Sequence, residues 1–128
     1  MVNKKISRRA EEYLEVIYSL KSRGEKPGVR KIARILGVKP SSVVDYLRRL
    51  CREGYIIYRP GGEIELTEKG LEIARDIRRK HEIIREFLIR IGVPPDIADE
   101  DACYIEHGVH PETLEKIIEF LKKDSKCL

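Results

Sequence analysis

Gly37-Val38-Lys39-Pro40-Ser41-Ser42-Val43-Val44-Asp45-Tyr46-Leu47-Arg48-Arg49-Leu50-Cys51 is the stretch that decides the fold. Glycine and proline break one periodic segment and open the next, and Ser41 or Ser42 is expected to cap the new helix. Val43, Leu47, Leu50 and Cys51 recur at helical spacing as its inward face, and Gly54 closes it. Just upstream, Val29, Ile32, Ala33 and Leu36 form the apolar face of a short helix. Two helices joined by a short glycine-containing turn match the helix-turn-helix pattern. Downstream, Tyr55-Ile56-Ile57-Tyr58 reads as a strand, Pro60-Gly61-Gly62 as a turn, and Glu63-Ile64-Glu65-Leu66 as an alternating return strand. A hairpin directly after a helix-turn-helix is the wing of a winged-helix domain.

Further out the pattern is helical on both sides. Ser7 is placed to cap a first helix whose stripe is Ala10, Tyr13, Leu14 and Ile17, with Gly24 after its end. Thr67 is placed to cap a long fourth helix with the stripe Ile73, Ile77, His81, Ile84, Leu88 and Ile91, ended by Gly92. Pro94-Pro95-Asp96 opens a fifth helix, and His110-Pro111-Glu112 a sixth with the stripe Leu114, Ile117, Ile118 and Leu121. The expected fold class is mainly α. An N-terminal winged helix-turn-helix domain takes residues 1–72, and a second, helical domain takes residues 73–128.

The chain has 128 residues, of which 38% are charged, and a net charge of +4. That sum hides a segregation. Residues 1–59 hold 15 Lys/Arg against 6 Asp/Glu, a balance of +9, and residues 60–128 hold 11 against 16, a balance of −5. A basic first half implies a polyanionic partner, and the acidic half a different task. No apolar run approaches the roughly 20 residues that span a bilayer, and Met1-Val2-Asn3-Lys4-Lys5 leads into no signal-peptide core. Three cysteines, Cys51, Cys103 and Cys127, an odd number without CxxC spacing, argue against a disulfide framework and for a reduced, cytoplasmic setting. Cys51 falls in an apolar stripe and reads as core; Cys127 lies in a polar tail.

The third helix presents Ser41, Ser42, Asp45, Tyr46, Arg48 and Arg49 away from the core, with Lys39 and Pro40 ahead of them. In a helix-turn-helix the second helix enters the major groove with its N-terminal residues at base edges. Ser41, Ser42 and Tyr46 are thus candidates for base contact. Lys39, Arg48, Arg49, Arg30, Lys31, Arg34 and Arg59 are placed to neutralise phosphates, which supplies affinity rather than sequence choice.

Asp101-Ala102-Cys103-Tyr104-Ile105-Glu106-His107 carries the other chemistry. Cys103, Glu106 and His107 stand at i, i+3 and i+4, the spacing that gathers side chains on one helical face. A thiolate, a carboxylate and an imidazole at one spot can hold a divalent transition metal, although three polar residues on a helix are more often simply solvated. Glu12 and Glu15 read either as ligands or as two solvated acids favoured by the helix dipole. His81 is either a satisfied core histidine or a ligand. His110, before a proline at a helix start, reads as a cap or as exposed.

Taken together, Glu12-Tyr13-Leu14-Glu15-Val16-Ile17-Tyr18, Pro40-Ser41-Ser42-Val43, Leu66-Thr67-Glu68-Lys69-Gly70, Lys80-His81-Glu82 and Cys103-Tyr104-Ile105-Glu106-His107 resemble a family: the metal-dependent repressors of the diphtheria toxin repressor and manganese transport regulator type (DtxR/MntR). The resemblance implies a homodimeric winged-helix repressor that binds palindromic operator DNA when loaded with Mn(II) or Fe(II) and controls metal-uptake genes. It implies Glu12, Glu15, His81, Cys103, Glu106 and His107 as the metal ligands. Manganese-type members carry a carboxylate where this chain has Cys103, and iron-type members a methionine where it has Glu12, so the sequence is a hybrid of the two. Where iron-type members build a second site from a histidine and a glutamate, this chain has Asp99 and Arg85. The chain ends too early for the SH3-like third domain of longer members.

An enzyme would need more than this constellation offers: there is no HExxH motif and no glycine-rich phosphate loop, so neither an active site nor a small-molecule substrate is expected. The alternatives are a winged-helix regulator that senses zinc or thiol oxidation through Cys103, and a winged helix used only for protein contacts.

Overall fold

The computed structural model describes residues 6–59 and 61–126; Met1 to Lys5, Pro60, Cys127 and Leu128 lie outside the described residues. The element order is α1 (Arg8–Ser22), α2 (Val29–Leu36), α3 (Pro40–Arg52), β1 (Ile56–Tyr58), β2 (Ile64–Leu66), α4 (Glu68–Arg90), α5 (Pro95–Ile105) and α6 (Pro111–Lys126). The chain is mainly helical with a two-stranded sheet. It divides into two compact units, Met1–Arg75 and Asp76–Leu128.

In the first unit the apolar stripes become one core. Ser7 caps α1 by accepting from the Ala10 N–H at 3.1 Å, and Tyr13, Leu14, Ile17 and Leu20 of α1 bury against Ile32 of α2 and Val43, Leu47 and Leu50 of α3. Gly37, at φ 69°, ends α2 in the left-handed conformation that a side chain would strain. The expected serine cap of α3 gives way to a different start. Lys39 is the N-cap without a side-chain bond, and Pro40 takes the first helical position, which suits its fixed φ and missing N–H. Ser41 and Ser42 therefore stand inside the first turn, both exposed. β1 and β2 pair antiparallel with Ile56 opposite Leu66 and Tyr58 opposite Ile64, and Ile56 and Ile64 point into the core.

The hairpin is pinned to α4 by Thr67. Its hydroxyl donates to the Gly54 and Tyr55 carbonyls at 2.7 and 3.0 Å and accepts from the Gly70 N–H at 3.2 Å. Gly70 lies against the Tyr55 carbonyl so closely that a β-carbon there would overlap it. Gly70→Ala is expected to destabilise the first unit by about 3 kcal/mol, since backbone must move to admit one methyl. A urea melt checks this; a midpoint equal to that of the parent would refute it.

The second unit has a small core of Ile84, Ala102 and Leu114, with Ile83, Leu88, Val109 and Ile118 packed on it. Phe87 and Phe120 meet edge to face at 5.5 Å, and Arg90 donates to Glu86 at 2.8 Å and Asp124 at 2.6 Å. Two expectations fail here. Ile91 lies beyond α4 and is 55% exposed, because the helix stops at Arg90 and Gly92 turns the chain at φ 107°. And α5 ends at Ile105, so Glu106 is its C-cap and His107 follows in the turn, rather than both lying on the helix.

Candidate metal centre

Among the described residues of the second unit, His81 and Glu106 are the buried polar ones, 4% and 2% exposed. The period of α4 puts His81 between Ile77 and Ile84 on the inward face, and Ala98 and Ala102 of α5, both fully buried, keep the neighbouring side chains small. The Glu106 carboxylate is an awkward group to place there. It is buried, and it sits at the C-terminal end of α5, where the helix dipole is negative.

Two contacts offset that cost in part. His81 Nδ1–H donates to Glu106 Oε1 at 2.7 Å, and His81 Nε2–H donates to Asp99 Oδ1 at 2.8 Å. The bond to Glu106 raises the His81 pKa from its ordinary 6.5 to about 9; burial opposes the shift and Asp99 supports it. His81 is thus an imidazolium at neutral pH. Yet among the described residues Glu106 Oε2 has no hydrogen-bond partner; the nearest cationic candidate there is His107 Nε2 at 3.4 Å, on a side chain only 5% exposed. Leaving a buried acceptor unpaired costs about 1–3 kcal/mol, and more when it is charged.

Around that carboxylate stand the other donors. The Cys103 sulfur lies 3.8 Å from His81 Nδ1, and ligand atoms of His81, Cys103 and Glu106 all fall within 4.8 Å of one another. One thiol, one carboxylate and two imidazoles, with an orphaned anionic oxygen among them, fit a divalent transition ion. Thiolate suits Fe(II), Co(II) or Zn(II), and carboxylate suits Mn(II). The structure therefore gathers four of the six expected ligands in the second unit: His81, Cys103, Glu106 and His107. Glu12 and Glu15 belong to the first unit, both half-buried on α1. Glu12 pairs with Arg8 at 3.5 Å and Arg9 at 3.4 Å.

In the sequence Asp99 and Arg85 stand out only as departures from a pattern. Both touch the site: Arg85 Nε lies 3.3 Å from the Asp99 oxygen that receives His81 Nε2–H. The available signal was the pairing of the departures, one acidic and one basic, with Arg85 one helical turn after His81.

In the first unit Lys39, Pro40, Ser41, Ser42, Arg48, Arg49, Arg30 and Arg59 are all exposed, and Arg49 pairs with Glu53 at 3.5 Å. Lys31 is held by Glu25 at 3.1 Å. Tyr46 departs from its expected outward placement. Its ring stacks on Tyr13 at 4.5 Å and 11°, its hydroxyl is hydrogen-bonded to Ser7 Oγ at 3.2 Å, and the Arg49 guanidinium lies over it. Position 46 is one turn from both Val43 and Leu50, on the flank of the buried stripe, so its ring is drawn inward.

Comparison with known proteins adds to this geometry. A family model described as "Iron dependent repressor, N-terminal DNA binding domain" matches residues 5–63, and one described as "Iron dependent repressor, metal binding and dimerisation domain" matches residues 67–128. The chain is 38% identical over 120 residues to an uncharacterized HTH-type transcriptional regulator of Methanocaldococcus jannaschii, covering 92% of this chain and 96% of that one. It is 37% identical over 114 residues to the transcriptional regulator MntR of Salmonella typhimurium, covering 88% and 72%. Among solved structures it is similar to a manganese-dependent transcriptional repressor in complex with manganese, with TM-score 0.81, 26% identity and coverage of 88% and 52%. A second is T. acidophilum IdeR, with TM-score 0.79, 30% identity and coverage of 94% and 56%. The chain spans about half the length of these solved structures.

Proposed function

The chain belongs to the iron-dependent repressor family of metal-dependent transcriptional regulators, and on that premise we propose that it is a homodimeric repressor whose grip on operator DNA depends on bound Mn(II) or Fe(II). It acts in the cytoplasm on palindromic operators of metal-uptake genes, and it catalyses no reaction. Residues 1–72 are the DNA-reading part and residues 73–128 the metal-binding and pairing part. The observation that carries the proposal is the buried Glu106 carboxylate with an orphaned oxygen, set among His81, Cys103 and His107.

His81, Cys103, Glu106 and His107 hold the ion, with Glu12 and Glu15 contributed from α1. When bound, a divalent cation supplies the positive charge that Glu106 Oε2 lacks. Without that charge the buried Glu106 carboxylate has the His81 imidazolium as its hydrogen-bonded counter-charge on one oxygen only. A twofold dimer must hold two recognition helices about one turn of DNA, roughly 34 Å, apart. Ser41 and Ser42 are the groups for base edges, with Tyr46 buttressing them from its stack on Tyr13. Lys39, Arg48, Arg49, Arg30 and Arg59 line the phosphate contacts, and Pro40 opens the recognition helix that presents them.

The test is DNA binding titrated with Mn(II), Fe(II), Co(II) and Zn(II) at buffered free concentrations, on fragments selected from genomic DNA. A coupling of about 1–3 kcal/mol tightens binding about 5–150-fold; affinity indifferent to every ion defeats the reading. Arg48→Ala is expected to weaken binding alike on all sequences and to lower the salt slope by about 1. An unchanged slope argues against a phosphate contact.

The second unit also leaves large apolar side chains uncovered: Ile97, Tyr104 and Ile105 on or at the end of α5, Phe120 on α6, and Ile91. With so small a core, a second copy is the natural cover, which brings α5 into the pairing surface beside the apolar faces of α4 and α6. Ile97→Asp is expected to raise the dimer dissociation constant at least about tenfold, roughly 1.4 kcal/mol. Sedimentation at micromolar concentration checks it, and a parent that sediments as a monomer counts against pairing. One further observation, the exposed Cys103 thiol, favours a second reading as a zinc or redox sensor. Release from DNA by oxidant, with no response to chelator, would select it.

A further inference from the structure

The outer nitrogen of His81 faces away from the donor set, into an open cleft lined by Arg78, Glu82, Arg85, Pro95, Asp96 and Asp99. Nothing in the proposed function uses that cleft. Its geometry is nonetheless specific. Asp99 Oδ1 takes the proton of His81 Nε2 at 2.8 Å and lies 3.3 Å from Arg85 Nε. His81 and Arg85 come from adjacent turns of α4, and Asp99 comes across from α5 to sit between them.

We propose that Asp99, held by Arg85, is a positioning residue that fixes which nitrogen of His81 is offered to the metal. The inference rests on the metal-binding reading above. Both partners of the ring, Asp99 and Glu106, can only accept, so each holds one N–H of the metal-free imidazolium. With Asp99 on the Nε2 side, Nδ1 is the nitrogen that faces Glu106 Oε1 and the Cys103 sulfur, at 2.7 and 3.8 Å, and its proton is the one a bound ion would displace. A carboxylate behind a ligating histidine also locks the ring angle and raises its basicity as a donor. Arg85 supplies the counter-charge that Asp99 needs at a cleft mouth, where its side chain is 57% exposed and otherwise free to swing out.

Arg85 also decides against a rival use of the same atoms. His81 Nε2 and Asp99 would make two donors for a second ion in the outer cleft. The guanidinium already stands at that oxygen, and Arg78 lines the same cleft. A second cation would have to displace one positive charge beside another. The cleft is a brace for the inner site rather than a site of its own.

The test uses the full chain, with Mn(II), Co(II) and Zn(II) as probes. Asp99→Ala is expected to weaken binding of each ion about 10–100-fold, the range for carboxylates behind ligating histidines. Asp99→Glu should recover part of the loss, and Arg85→Ala should show a smaller loss of the same kind. The readout that a merely structural role would not move is the 15N spectrum of the His81 ring in the Zn(II)-loaded protein. The parent should show Nε2 protonated and Nδ1 on the metal, and Asp99→Ala should show a mixture. Metal affinity within twofold of the parent overturns the proposal, as does the loss of one bound ion per chain with the remaining affinity unchanged. The latter would make Asp99 a ligand. A parent chain that takes up none of the three ions sinks the metal-binding reading and this inference with it, whereas an indifferent Asp99→Ala beside a metal-binding parent sinks the inference alone.

Discussion

Glu106→Gln is expected to abolish metal-dependent DNA binding and to lower affinity for Mn(II) and Co(II) by more than about 100-fold, beyond the 10–100-fold typical of groups that only support a ligand. Glutamine keeps the shape of the side chain and one carbonyl oxygen, so the acceptor for His81 Nδ1–H can persist at the position where Glu106 Oε1 now stands, 2.7 Å away. What it removes is the negative charge and the orphaned oxygen, Oε2. In the metal-free protein two changes oppose each other. The buried charge beside the negative end of α5 disappears, which stabilises, and the imidazolium loses its anionic partner, which destabilises. The melting temperature should therefore move by only a few degrees, roughly the effect of 1 kcal/mol in a domain this small. Calorimetric metal titration and a thermal melt on the same sample separate the two effects. Affinity within threefold of the parent would remove Glu106 from the site, and a variant that fails to fold would point to a structural ion pair instead. His107→Ala should give the same loss of metal response.

The first unit was legible in the sequence because its signals are local. A glycine at the turn, a proline at a helix start and alternating residues around Pro60-Gly61-Gly62 each specify backbone conformation within a few residues. The metal centre was legible as residue types but not as geometry. The i, i+3, i+4 spacing of Cys103, Glu106 and His107 is silent about where the helix stops. Only the fold shows α5 ending at Ile105, with Glu106 brought inward as its cap. Burial of His81 followed from the α4 period. Its bond to Asp99 depends on how α4 and α5 pack, a tertiary fact that no single-helix pattern contains. Tyr46 was misplaced for a related reason. A residue on the flank of an apolar stripe can face either way, and an aromatic neighbour, Tyr13, settled the matter.

Metal-free protein is expected to lose stability between pH 6.5 and 9, and the affinity for metal to rise over the same window. The cause is His81, whose pKa is lifted from 6.5 to about 9 chiefly by its bond to Glu106. Below pH 6.5 the ring is protonated in folded and unfolded chains alike, and the full stabilisation is present. Between the two values the folded chain keeps a proton that the unfolded chain has released, so stability falls with rising pH by at most about 1.4 kcal/mol per unit. Above pH 9 the contribution is gone, a total on the order of 3 kcal/mol by the same linkage. In a domain this small that is a fall in melting temperature of roughly 10 °C or more. Ligation at Nδ1 requires the proton to leave, so apparent affinity should climb about tenfold per pH unit until the ring titrates, and more steeply where the Cys103 thiol also releases a proton. The opposite slopes are the test. His81→Gln, melted in chelator, should be flat across the window in which the parent declines. A parent that is flat too, or a variant that declines equally, would show that the His81–Glu106 pair does not carry the pH response.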